Sequence, residues 1–209
     1  MNVRIFVVLT SFMLVLSCGD DSSDQSRNIR WADEVIAYST QYDSVEWAAF
    51  QALGPPDTYP DYGDIETAWT SEFQDAQREF LELAYYESPQ PVQSIAIFET
   101  YNPGFVDTVY VKNPMTNLWE AVYQDSAKDA GDSSRILIIN FSKTDFNVSE
   151  IRIAMDMTAV PGWNEIDAVG LSSEIIPAYT DTVFWAPFWH PLYSSPASLA
   201  KHGKQLKRK

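Results

Sequence analysis

The sequence predicts an all-β sandwich with one short helix. Three observations carry this reading: apolar or alternating segments of strand length, clusters of proline, glycine, asparagine and aspartate between them, and almost no helical period. Residues 79–85 and 92–99 alternate with a period of two, the mark of a strand with one buried face. Residues 106–111, 118–123, 135–141, 150–154 and 166–171 continue the series, so about seven strands follow at the regular spacing of a sandwich. The exception is 45–53, where Ala48, Ala49, Gln51 and Ala52 favour a short helix that Gly54-Pro55-Pro56 ends.

The two ends lie outside this pattern. Residues 1–17 read as a signal peptide, with Arg4 followed by an apolar run from Ile5 to Leu16 that Thr10 and Ser11 interrupt. The run is shorter than the roughly 20 apolar residues a spanning helix needs, and polar Gly19-Asp20-Asp21-Ser22-Ser23-Asp24 follows it. Val15-Leu16-Ser17-Cys18 resembles a bacterial lipobox, in which the cysteine is acylated and becomes the first mature residue. The expectation is a lipoprotein held to the membrane through Cys18 in a bacterial cell envelope, at the outer membrane or cell surface. Cys18 is the single cysteine, so no intramolecular disulfide or thiolate site follows it. Residues 18–29 then form a flexible polar linker, 30–173 the sandwich, and 174–209 an aromatic and proline-rich extension with a basic tail. Trp185, Phe188 and Trp189 in that extension are expected to fold back on the sandwich, and the lysine-rich end to be solvated.

Charge excludes one class of partner. All 29 acidic residues fall between Cys18 and Ala200, where only 8 of the 14 basic ones lie, so this span repels nucleic acid. Anionic lipid headgroups are disfavoured for the same reason, which leaves membrane attachment to the acyl chains. Divalent cations are favoured.

Several motifs together carry a resemblance: Val35-Ile36-Ala37-Tyr38-Ser39-Thr40-Gln41-Tyr42, Ala52-Leu53-Gly54-Pro55-Pro56-Asp57, Tyr59-Pro60-Asp61-Tyr62-Gly63-Asp64, Ala68-Trp69, Asn102-Pro103-Gly104, and the run from Trp163-Asn164-Glu165 to Leu171. They resemble a discoidin-like domain of the galactose-binding-like superfamily, in particular the N-terminal domain of an animal F-box protein with leucine-rich repeats and related bacterial envelope modules. The resemblance implies a jelly-roll sandwich of two antiparallel sheets. It also implies a structural calcium ion, held between an acidic residue with a following Thr-x-Trp and a glutamate that begins the last strand. Asp64, Thr67-Ala68-Trp69 and Glu165 match those positions, and Asp57 is a further ligand candidate. Calcium takes about six to eight hard oxygens, which these groups and loop carbonyls supply. In the other reading Asp64 caps a turn, Thr67 sits at a strand edge and Glu165 is solvated or paired with arginine.

Sugar-binding sandwiches present aromatic rings at one end, because a ring face covers the C–H face of a pyranose while nearby polar groups take its hydroxyls. The candidates are Tyr42, Tyr59, Tyr62, Tyr101 with Asn102, and Trp163 with Asn164, whereas Trp47 and Trp69 read as core. Catalysis lacks its parts. Adjacent acids such as Asp33 and Glu34 sit in no motif, His190 and His202 both fall in the tail, and there is no glycine-rich phosphate loop. The expected function is therefore a non-catalytic module that binds a glycan or a protein surface. The alternative is a structural subunit of an envelope complex that makes contact through 185–193.

Overall fold

The computed structural model describes residues 29–177; Cys18, the linker and the aromatic extension with Trp185, Phe188, Trp189, His190 and His202 lie outside them. Nine strands form two antiparallel sheets. The strands are β1 (Ile29–Trp31), β2 (Glu34–Tyr38), β3 (Arg78–Ala84), β4 (Ser94–Tyr101), β5 (Val106–Asn113), β6 (Leu118–Gln124), β7 (Arg135–Asn140), β8 (Glu150–Asp156) and β9 (Glu165–Ser172). One sheet runs β1-β9-β4-β7 and the other β2-β3-β8-β5-β6. The all-β sandwich read from the sequence is the fold.

Alternation places the core. Leu81 and Leu83 of β3 pair with Ile153 and Ile151 of β8, and together with Met155, Val109 and Val111 they turn one face of the five-stranded sheet inward. Ile95, Ile97, Ile139, Val169 and Leu171 meet them from the four-stranded sheet. That second sheet is buried on its outer face as well, where Phe98, Ala96 and Ala168 are covered by Trp31, Tyr59 and Ile176. This double burial explains why β4 and β9 read as nearly continuous apolar runs.

On the solvent side of the five-stranded sheet, Arg152 Nε donates to Glu82 Oε1 at 2.6 Å, and the guanidinium lies 5.0 Å from the Phe80 ring centre and 5.2 Å from that of Trp119. Arg152→Ala removes both the ion pair and the two cation–π contacts. A loss of about 1.5 kcal/mol is expected, since part-exposed pairs and contacts of this kind each contribute a fraction of that. Urea unfolding with an unchanged m-value is the measurement.

Two strands and one helix depart from the sequence expectation. β1 is three residues long and β2 is an edge strand with a bulge between Val35 and Ala37, so neither shows a sustained period. The helix expected over 45–53 shrinks to a 3-10 turn, Ala49–Ala52. Trp47 has φ +51° and Ala48 is extended, so the backbone enters helical geometry late and without a side-chain cap. It leaves early, because Gly54 N–H turns away to the Ala32 carbonyl at 2.9 Å.

Candidate functional site

The β2–β3 connection and the β8–β9 loop meet at one end of the sandwich. An isolated bridge fixes their approach: Trp69 N–H donates to the Ile166 carbonyl at 2.8 Å, and Ile166 N–H returns to the Trp69 carbonyl at 3.0 Å. Trp69 is fully buried, and its indole N–H donates to the Thr40 carbonyl at 3.2 Å. Thr70 Oγ1 donates to the Asn164 carbonyl at 2.9 Å. These bonds bring the first residue of β9, Glu165, up against Asp64 and Ile65.

A small cleft, with a cavity volume of about 50 Å³, opens beside this junction, lined by Tyr42, Trp47, Asp64, Thr70 and Trp163. Tyr42 stands edge-on to both tryptophans, with ring centres 5.3 Å from Trp47 and 5.6 Å from Trp163. The left-handed backbone at Trp47 is held by Trp47 N–H to the Glu66 carbonyl at 3.0 Å. Trp163 follows a turn that only glycine fits. Gly162 has φ +96°, and a Cβ there would meet Asn102 Nδ2 at 2.7 Å. Asn102 in turn donates to the Trp163 carbonyl at 2.8 Å and accepts the Tyr62 hydroxyl at 3.2 Å, while Asn164 donates to the Asn102 carbonyl at 2.8 Å. Below this turn Glu99, wholly buried, pairs with Arg135 and accepts the Gly104 amide at 3.0 Å. The wall carrying Trp163 is thereby tied to the sheet.

Glu165 is the electrostatic centre. Its side chain is buried, with the Ile65 amide donating at 3.2 Å and the Thr100 hydroxyl at 3.5 Å. Burial pushes its pKa up to about 9 and the adjacent Asp64 carboxyl adds to the rise, against the Ile65 amide and the Trp47 indole, which pull it down. None of the ion pairs among the described residues involves Asp64 or Glu165.

The candidates from the sequence divide. Tyr42 and Trp163 line the cleft. Tyr62, Tyr101, Asn102 and Asn164 form the support behind it, with Tyr62 and Tyr101 in edge contact at 5.5 Å. Tyr59 packs on Phe98, on the outer face of the four-stranded sheet. The expected calcium ligands divide too. Asp64 and Glu165 meet at the cleft, whereas Asp57 and Thr67 belong to a clamp around Asp167. Buried Asp167 accepts the amides of Asp57, Thr58 and Tyr59 at 3.2, 3.2 and 2.8 Å, and Thr58 Oγ1 lies 2.5 Å from Thr67 Oγ1. Among the described residues no three of His, Cys, Asp and Glu gather as a metal site. One sequence reading had Glu165 solvated or paired with arginine; its side chain is buried, and among the described residues no arginine pairs with it.

Trp47 and Thr70 are the cleft residues that sequence reasoning missed, Trp47 having been read as core. The stretch around Trp47 looks helical in composition, and nothing in it announces the left-handed backbone that turns the ring to the cleft. Asp167→Ala strips three amides of a charged acceptor, and a loss of about 2 kcal/mol is expected. Faster amide exchange confined to residues 57–59 would accompany it, with the cleft unchanged.

The family model described as Pappalysin-1, SD scarf domain, C-terminal, matches residues 20–178. The chain belongs to the Pappalysin-1 SD scarf domain family. This match does not bear on the resemblance of the sequence motifs to the N-terminal domain of an F-box protein. No curated protein matches the chain. Among solved structures, this SD scarf domain is similar to the C-terminal domain of a chitobiase from Bacteroides fragilis, at 15% identity over 70% of this chain and 95% of that one, with a TM-score of 0.51. It is similar to a chain in the structure of reduced XRCC1 bound to the DNA polymerase β catalytic domain, at 16% identity over 72% and 99%, with a TM-score of 0.52. A Clostridium perfringens CBM32 module in complex with GalNAc-β-1,3-galactose is similar at 10% identity over 70% and 96%, with a TM-score of 0.49. At these identities the likenesses to the chitobiase and XRCC1 chains speak to the fold alone, a β-sandwich.

Proposed function

We propose that this SD scarf domain is a non-catalytic module that binds a glycan in the cleft of Tyr42, Trp47 and Trp163. One observation carries the reading: three aromatic rings and the polar groups of Asp64 and Thr70 converge on a concave site at one end of the sandwich. Rings of this kind cover the apolar face of a sugar, and the polar groups fix its orientation. Asp64 is the carboxyl that lines the cleft, and it lies against buried Glu165, so the two acids sit together instead of flanking an open bond. The chain is exported and held at a bacterial cell envelope by lipid on Cys18, and the linker before Ile29 lets the cleft face away from the membrane.

A glycan array probed with the full chain tests the binding. Saturable binding to a defined set of sugars is expected, and it is lost on Trp163→Ala. An array that stays blank at high protein concentration overturns the reading. Radioactive palmitate tests the anchor separately: label on the wild type and none on Cys18→Ala is expected, and label retained on Cys18→Ala contradicts it.

A further inference from the structure

We propose that the extension after Pro177 seats its aromatic residues on the outer face of the four-stranded sheet, so that Trp185, Phe188 and Trp189 cover Ile136 and Ile138 and the occupant of this face is the chain itself. The proposal is independent of the glycan reading. Its first support is the way the chain leaves the sandwich. Ser94 opens β4 and pairs with Asn140, which closes β7, and together they clamp residue 176. Ile176 N–H donates to Ser94 Oγ at 3.1 Å, and Asn140 Nδ2 donates to the Ile176 carbonyl at 2.9 Å. The Ile176 side chain is buried in the cluster of Ala96, Phe98 and Ala168. After β9 the chain therefore turns back over the outer face instead of running off the end of the sheet.

The second support is what lies next to the clamp. On β4 and β7 the pairs on this face run Ser94–Asn140, then Ala96–Ile138, then Phe98–Ile136. The clamp pair is polar and the two beyond it are apolar, with Ile136 and Ile138 half-buried on an edge strand. The third pair lies four residues, about 14 Å, along the strand from the first. Eight residues lead from Pro177 to Trp185, a reach of up to about 28 Å, so the aromatic run spans these pairs without full extension. Large aromatic side chains gain most by burial on an apolar surface at hand. The third support is charge, and it selects the chain's own segment over a second copy. Lys201, Lys204, Lys207, Arg208 and Lys209 close a chain whose net charge is −15, so the basic end is drawn to the acidic sandwich it is tethered to, whereas two sandwiches repel. With Trp185 and Trp189 seated here, the contact that a structural subunit would offer through 185–193 is already occupied.

The test is nuclear magnetic resonance on the full chain, labelled at isoleucine methyls and tryptophan indoles. Overhauser contacts from the Trp185 or Trp189 indole to the Ile136 or Ile138 methyls are expected, and in a mixture of differently labelled chains they arise within one chain. In Trp185→Ala/Trp189→Ala, which leaves the sandwich residues unchanged, amide exchange at 136–138 is expected to quicken about 10-fold while that of Leu81 and Ile153 stays as in the wild type. Ile138→Lys is expected to shift the Trp185 and Trp189 indole resonances and to leave Trp69 in place. Contacts found only between differently labelled chains put a second copy on the face and overturn the proposal. Trp185 and Trp189 indoles at random-coil positions, without such contacts, leave the extension to an envelope partner and overturn it as well. Unaltered exchange at 136–138 in the double variant also overturns it.

Discussion

Glu165→Gln is expected to stabilise the unliganded protein increasingly as pH rises from 5 to 9, and to leave it close to wild type at the acid end. The buried carboxyl has its pKa raised to about 9 in the folded protein, whereas in the unfolded chain it titrates near its ordinary value of 4.5. Below that ordinary value both states carry the proton and the folded state loses nothing. Between the two values the unfolded chain releases a proton that the folded state retains, so wild-type stability falls as pH rises and levels off above about 9. Glutamine has no proton to release and keeps the neutral shape, so the variant lacks this part of the slope. The full shift sets an upper bound at about 1.4 kcal/mol per pH unit. Water entry and rearrangement at the cleft mouth reduce what is realised, to an expected difference of about 3 kcal/mol at pH 9. Asp64, the Ile65 amide, the Thr100 hydroxyl and the Trp47 indole face this carboxyl and are unchanged in the variant. Urea unfolding of both proteins at pH 5, 7 and 9 checks it, and parallel stability curves would contradict the burial argument.

The second large effect is on binding. Trp163→Ala is expected to lower glycan affinity at least 100-fold, about 2.7 kcal/mol, because it removes one wall of the cleft together with the ring against which Tyr42 is set. The loss in stability is smaller, since Trp163 is half-buried and its backbone stays tied through Asn102. Trp31→Ala provides the contrast. Trp31 packs on Phe98 at 5.6 Å on the outer face of the four-stranded sheet, so its replacement lowers stability and leaves affinity within about 2-fold. Calorimetry on the three proteins separates the two effects, and equal losses of affinity would mean that Trp163 acts through folding alone.

The strands were legible in the sequence wherever burial has a period. Leu81, Leu83, Ile151 and Ile153 alternate because one face of their sheet meets water, and 166–171 is continuous because both faces of β9 are covered. β2 was not legible, since an edge strand with a bulge needs no regular alternation. The site was legible in part. Tyr42 and Trp163 stand in loops rich in turn residues, which is where binding aromatics are looked for. Trp47 was hidden because its orientation depends on one left-handed residue between alanines and acids. The pairing of Asp64 with Glu165 depends on the bridge between Trp69 and Ile166, a contact across nearly a hundred residues that no local pattern encodes, although the resemblance had named both acids. Asp57 and Thr67 went to Asp167 because three amide donors close in sequence form a better nest for a buried carboxylate than a solvated loop does.

The central claim is that ligand enters the cleft of Tyr42, Trp47 and Trp163, and the tryptophan side chains report on it directly. A titration of the ¹⁵N-labelled chain with a glycan that the array selects, followed on the indole N–H resonances, is expected to move Trp47 and Trp163 together and saturably, while Trp69, bonded to Thr40, and Trp119, on the far sheet face, stay in place. Movement of Trp119 or Trp31 with Trp47 and Trp163 unmoved would put the ligand elsewhere on the sandwich and contradict the account.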